Sequence, residues 1–173
     1  MTHPRFFGYG SLVNTKTHSY GRTEPAQLAG WRREWVGTTL RGFSFLSIRP
    51  DPACTLWGLT AEVPNHDWDA LDAREFAYAR HQAGPLTTYI VEPQHIAAKP
   101  HPILLSYIDV VIQGYAHVFG PDGAAHFIAT TDGWDRPILN DRAAPLYPRA
   151  QTLTPDETAL VNHLLNEKGQ PLG

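Results

Sequence analysis

The pattern of apolar residues changes period near residue 103, and that change limits the folds open to this chain. Before it come short stretches rich in aromatic and β-branched side chains: Phe6–Tyr9, Leu28–Val36, Leu40–Ile48, Thr55–Val63 and Leu86–Glu92. Such stretches read as strands. Gly30, Gly37, Gly42 and Gly58 interrupt them, which suits strands that bend. After it, Leu104, Tyr107, Ile108, Val111, Tyr115 and Val118 recur at the spacing of an amphipathic helix. Gly120-Pro121-Asp122-Gly123 ends that helix, and Ala124–Thr131 reads as a shorter one. Strands first and helices after predict an α+β fold with a mostly antiparallel, barrel-like sheet.

Between the strands, Asn65 is placed to cap a helix running to about Arg74. Asp67 and Asp69 in its first turns complement the macrodipole, and Trp68 and Leu71 face a core. Residues 132–153 carry Trp134, Pro137, Pro145 and Pro148 and read as a Pro-braced excursion over the surface. Thr154-Pro155-Asp156-Glu157 is a capping box with proline at the first helical position; it opens a C-terminal helix over residues 155–167. With 173 residues and no repeat, low-complexity tract or long linker, residues 1–173 read as a single domain.

Composition removes several functional classes. Apolar residues at 42% and charged residues at 18% describe a globular chain rather than a disordered one. A formal charge of −3 gives no electrostatic case for nucleic acid. Cys54 is the only cysteine, so no intrachain disulfide and no cysteine-based metal site can form. The nine histidines make no His-Glu-x-x-His pattern, and neither metal nor cofactor is expected. No apolar run reaches transmembrane length, and Phe6–Val13 is too short and glycine-broken for a signal peptide. The expectation is a cytoplasmic protein away from membranes, a monomer or homodimer.

Two segments carry chemistry. Gly8-Tyr9-Gly10-Ser11-Leu12 follows the first strand. A dinucleotide fingerprint would need a third glycine where Val13 stands, and a P-loop would need a later Gly-Lys-Ser/Thr. A nucleophile elbow fails too, because Val13 takes its closing glycine position. What remains is a turn whose glycines let backbone N–H groups face a ligand, with the Ser11 hydroxyl beside them; the plain alternative is an ordinary strand-ending turn. The second segment, Leu71-Asp72-Ala73-Arg74-Glu75-Phe76, ends in a carboxylate among aromatics. Phe76, Tyr78 and Trp68 would desolvate Glu75 and raise its pKa toward the range useful for proton transfer; the plain alternative is a surface glutamate paired with Arg74. In the Pro-rich segment, Asp141-Arg142, Tyr147-Pro148-Arg149 and Trp134-Asp135-Arg136 either line a pocket mouth or pin a long loop by salt bridges. Tyr78, Arg142 and Tyr147 are the candidate pocket residues.

Phe7-Gly8-Tyr9-Gly10-Ser11-Leu12 resembles the Tyr-Gly-Ser signature of the γ-glutamylcyclotransferase-like superfamily. Trp57-Gly58-Leu59 through Leu71-Asp72-Ala73-Arg74-Glu75 is similar to the strand, helix and catalytic glutamate that follow in that family, and Ser106-Tyr107 through Gly114 to its later helix. The resemblance spans roughly residues 6–120. It implies a small closed barrel with flanking helices and no cofactor. The reaction implied is intramolecular aminolysis of a small-molecule γ-glutamyl amine or peptide to 5-oxoproline and a free amine. Glu75 would be the acid/base, and Gly8, Tyr9, Gly10, Ser11 and Leu12 the substrate cradle. Leu12 is similar to the glutathione-degrading branch of the superfamily, whereas Val13-Asn14 and Phe76-Ala77 depart from it. The alternative is a non-catalytic member of the same fold that binds a small acidic metabolite or a protein partner.

Overall fold

Phe6 and Phe7 are adjacent in the first strand and both fully buried, yet they belong to different clusters of the core. Side chains alternate across a strand, so this strand is covered on both faces. The computed structural model, which describes residues 3–170 and 172, builds two layers on that core strand. Its elements are β1 (Arg5–Gly8), β2 (Glu24–Gly37), β3 (Ser44–Glu62), α1 (Trp68–Arg74), β4 (Tyr78–Ala83), β5 (Leu86–Val91), β6 (Ile103–Leu104), α2 (Leu105–Phe119), α3 (Pro121–Ala129), β7 (Thr131–Asp132), β8 (Ile138–Leu139) and α4 (Pro155–Glu167). The larger layer sets Trp35, Leu46 and Leu56 of the sheet against Ile108, Val111, Tyr115, Phe127 and Val161 of the helices. The smaller gathers Phe6, Leu12, Val63 and Tyr89 around Leu71 of α1. Among the described residues, no helix is long and apolar enough to cross a membrane.

The sheet runs in the order β4-β5-β1-β3-β2-β7. β2 and β3 form a long antiparallel ribbon that bulges between Ala29 and Trp31, where Gly30 adopts φ +86°. β1 pairs antiparallel with β3 and parallel with β5, and β2 pairs parallel with the two-residue β7.

Two expectations need correction. The sheet is mixed and is not closed into a barrel. Where the first half of β3 approaches β4 and β5, side chains make the links: the Tyr78 hydroxyl donates to the Leu46 carbonyl at 2.7 Å, and the Val91 N–H donates to Ser47 Oγ at 3.1 Å. The stacked rings of Phe45 and Tyr78 stand in the same seam. Asn65 is likewise not a helix cap. It has φ +54° inside a 3-10 turn over Pro64–His66, and α1 starts two residues later behind Asp67.

Helix α2 presses directly on the loop that follows β1. A Cβ on Gly114 would stand 2.7 Å from the Cα of Asn14, so only glycine permits this approach. The Asn14 amide then donates to the Val110 carbonyl and to Gln113 Oε1 at 2.8 and 2.9 Å. The capping box opening α4 is formed in both directions between Thr154 and Glu157.

Candidate active site

The loop leaving β1 is fixed from beneath. Arg33, on β2, is fully buried and donates from Nε to the Tyr9 carbonyl at 2.8 Å. Its other nitrogens reach Thr130 Oγ1 at 2.6 Å, the Trp57 carbonyl at 2.7 Å and the Tyr115 hydroxyl. The Tyr9 side chain is tied on another side, its hydroxyl donating to the Tyr89 carbonyl at 2.5 Å. Residues 11–13 then turn as a 3-10 helix, with the Val13 N–H bonded to the Gly10 carbonyl at 3.0 Å. Among the described residues, the N–H groups of Tyr9, Gly10 and Leu12, all buried residues, meet no hydrogen-bond acceptor. Backbone donors away from water are almost always paired in folded proteins, so three open N–H groups in one loop are what a ligand's oxygens would satisfy.

Two cavities that share part of their lining open beside this loop. The inner one, of about 30 Å³, is lined by Gly8, Tyr9, Gly10, Ser11 and Leu12 together with Leu46, Glu75, Tyr78, Tyr89 and Tyr107. The outer one, of about 180 Å³, shares Ser11, Leu46, Glu75, Tyr78 and Tyr107 and extends past Phe43, Phe45, Phe76, Tyr147 and Arg149. It occupies the seam where β3 fails to pair with β4. The structure therefore brings Glu75, the whole Gly8–Leu12 loop, Tyr78 and Tyr147 to one place. Arg142 is elsewhere. Its guanidinium grips both oxygens of Asp109 at 2.8 and 2.7 Å and Asn162 Oδ1 at 2.8 Å, which pins the Pro-rich segment to α2 and α4. Trp68 does not line the cavity either; the Arg80 guanidinium lies 5.0 Å over its ring.

Glu75 follows the last residue of α1, and its N–H completes the helix on the Leu71 carbonyl at 2.9 Å. Its side chain is only 14% exposed. Burial raises its pKa above the ordinary value, while the cations of Arg74 and Arg149 oppose that rise. Arg74 Nε stands 3.6 Å from Glu75 Oε1. The same guanidinium donates to the Thr17 carbonyl and hydroxyl at 2.8 and 3.0 Å and to Ser11 Oγ at 3.3 Å. One arginine thus joins the acid to the loop.

Tyr9, Tyr78 and Tyr107 surround the same space. Burial, with the Glu75 charge contributing, pushes all three phenols far up. They are neutral hydrogen-bonding groups at any working pH. The Tyr107 hydroxyl accepts from the Ser11 N–H at 3.4 Å, and its ring packs edge-on against Tyr147 at 5.0 Å.

Several of these residues were not legible as site residues. Tyr107 could be seen only as one position of a helical stripe. Arg41, Phe43, Phe45 and Leu46 lay in an apparent strand, and Arg149 was one of several arginines in the Pro-rich segment. Glu75 is the one acid among the described lining residues of the outer cavity, facing Arg41, Arg74 and Arg149. The site is cationic around a single carboxyl. It suits an anionic small molecule, and it can offer a proton acceptor at one fixed point.

No family model and no curated protein matches the chain in sequence. Solved structures do match it in fold. An uncharacterized protein from Homo sapiens superposes with a TM-score of 0.58 at 14% identity, over 93% of this chain and 99% of that one. YkqA from Bacillus subtilis gives 0.56 at 19% identity over 77% of this chain, but only 57% of its own length is covered. A structure named gamma-glutamyl cyclotransferase gives 0.56 at 11% identity over 92% and 98% of the two chains. At these identities the likeness is one of fold.

Proposed function

We propose that this chain is a γ-glutamyl cyclotransferase. The observation that carries the reading is the meeting of Glu75, with its raised pKa, and the Gly8–Leu12 loop, with its unpartnered N–H groups, beside the arginines of the adjoining cavity. Fold alone would not support it.

In this reading the γ-glutamyl chain folds back so that its α-amino nitrogen lies against its own γ-carbonyl carbon. Holding that conformer replaces a chance encounter by a near-unimolecular step. The α-amino group is protonated at neutral pH, and Glu75, as the carboxylate, accepts the proton. The nitrogen then attacks the γ-carbonyl carbon, and the carbonyl oxygen takes the negative charge beneath the Tyr9 and Gly10 N–H groups. One such donor is worth about 3 kcal/mol in acyl transfer. On collapse, Glu75 returns that proton to the leaving nitrogen as its bond to the γ-carbon breaks, and the ring nitrogen gives its second proton to the departing amine, so 5-oxoproline and the amine, as its ammonium ion, depart. No water enters the equation. Arg149, whose guanidinium has no ion-pair or hydrogen-bond partner among the described residues, takes the α-carboxylate.

Incubating wild type and Glu75→Gln with a panel of γ-glutamyl peptides and amines, and following 5-oxoproline by mass, tests the proposal. The wild type is expected to produce it, and the variant to lose at least about a hundredfold in rate. A variant of near-normal rate would remove Glu75 from the reaction.

A further inference from the structure

Exposed large apolar side chains are unevenly placed on this molecule. Of Phe76, Ile96, Leu139 and Leu146, exposed by 42 to 54%, Phe76 and Leu146 line the outer cavity. Phe76 belongs to a connected aromatic wall. It meets Phe45 edge-on at 6.0 Å, and Phe45 stacks on Tyr78 at 6.2 Å and 11°; Phe43 extends the wall outward, 6.0 Å from Phe45. The wall therefore runs from solvent inward to Tyr78, which shares the inner cavity with Glu75. At its outer end the Arg41 guanidinium lies 5.0 Å over the Phe76 ring. Among the described residues Arg41 makes no ion pair, and its one side-chain hydrogen bond goes to the adjacent Leu40 carbonyl.

Building on the cyclotransferase reading, we propose that the leaving amine is an α-amino acid with an aromatic side chain, its ring laid on Phe45 and Phe76 and its carboxylate held by Arg41. Once the glutamyl half is bound at the Gly8–Leu12 loop and Glu75, whatever is attached to the γ-carbonyl must leave along this wall. An aromatic ring covers the exposed face of Phe76 and gains both burial and ring packing. A carboxylate on the same group meets Arg41, a bidentate donor with no acidic partner among the described residues. A cationic leaving group, such as a polyamine or a lysine side chain, would be brought among Arg41, Arg74 and Arg149 with only Glu75 to offset them, a repulsion that selects against it.

Calorimetric titration of the inactive Glu75→Gln protein measures the subsite apart from turnover. The ligands are γ-glutamyl-phenylalanine, γ-glutamyl-alanine and γ-glutamyl-phenethylamine, the last keeping the ring without the carboxylate. The phenylalanine compound is expected to bind at least about tenfold tighter than either other ligand. Adding Phe76→Ala should shrink the phenylalanine-to-alanine ratio toward one, and adding Arg41→Gln should shrink the ratio against phenethylamine. Equal affinity for the phenylalanine and alanine compounds, or ratios that neither substitution moves, overturns the subsite. The same compounds given to wild type separate this inference from the reaction. 5-Oxoproline formed at equal kcat/KM from all three leaves the reaction standing and removes the subsite. Aromatic preference in binding with no 5-oxoproline from any of them keeps the subsite and removes the reaction.

Discussion

The guanidinium of Arg33 donates through Nε to the backbone carbonyl of Tyr9 at 2.8 Å, beneath the loop that faces Glu75. No carboxylate pairs with this buried cation among the described residues. Its charge is spread instead over a carbonyl on each of two segments, two hydroxyls, and the faces of Tyr115 and Phe127 at 4.9 and 5.2 Å. The planar fork fixes the direction in which the Tyr9–Gly10 peptide faces, so the aim of the Gly10 N–H is set by β2 rather than by the loop itself.

Arg33→Lys keeps the charge and loses the fork. A single ammonium cannot serve Tyr9, Trp57 and Thr130 together, and the acceptors left over are buried. The expected cost is about 3 kcal/mol or more, read from denaturant unfolding. A change under about 0.5 kcal/mol, the size usual at indifferent surface positions, would show that the fork is dispensable.

The acid limb of kcat/KM should follow Glu75. Its carboxyl must be ionised to accept the ammonium proton, and its pKa lies above the ordinary 4.5. Activity is therefore expected to fall with decreasing pH through a midpoint higher than an ordinary glutamate gives. Removing the nearby cation in Arg149→Ala favours the protonated form, so the limb should move to still higher pH. A limb that stays in place in that variant would mean that Arg149 does not act on Glu75.

Stability should carry the opposite sign. A carboxyl whose pKa is higher folded than unfolded binds more protons in the native state, so stability falls as pH rises from the unfolded to the folded pKa. Above that window the native state bears the full cost of the buried charge. Glu75→Gln is thus expected to melt higher than wild type at neutral pH and to match it at pH values below the unfolded pKa. A variant less stable than wild type at neutral pH would show that its pairing with Arg74 outweighs its burial.

Gly10 has no room for a side chain. A Cβ there would stand 2.6 Å from the Tyr107 hydroxyl and 3.1 Å from Leu46 Cδ2. Gly10→Ala must push Tyr107 off the Ser11 N–H or shift the loop, and a displacement near 1 Å can cost about a hundredfold in rate. The loss is expected in kcat/KM with a much smaller change in melting temperature. Unimpaired turnover would reduce the loop to a plain turn.

The sequence announced local chemistry well and long-range placement poorly. Phe6–Leu12 as strand and glycine turn, and the helical stripe from Leu104 to Val118, depend on near neighbours and could be read directly. Leu40–Ile48 and Thr55–Val63, read as separate stretches, are joined: β3 runs unbroken from Ser44 to Glu62 because its pairing with β2 continues on both sides of the bulge. That continuity carries Phe43, Phe45 and Leu46 to the cavity, and no local pattern could announce it. Asn65 shows the same limit from the other side: a good capping residue by type was used for a left-handed turn. Arg142 and Arg149 are equivalent by sequence. Only the fold gives the first to Asp109 and leaves the second facing Glu75.

Ring closure without water leaves an isotopic signature that hydrolysis does not share. Wild type and Glu75→Gln would be incubated with γ-glutamyl-phenylalanine in water enriched in oxygen-18, and the products resolved by mass. Cyclisation gives 5-oxoproline carrying no oxygen-18, formed by wild type and nearly absent with the variant. Glutamate labelled with oxygen-18 would make the protein a hydrolase. Extending the incubations to the whole γ-glutamyl panel without any product would leave Glu75 and its loop as a binding site and contradict the account.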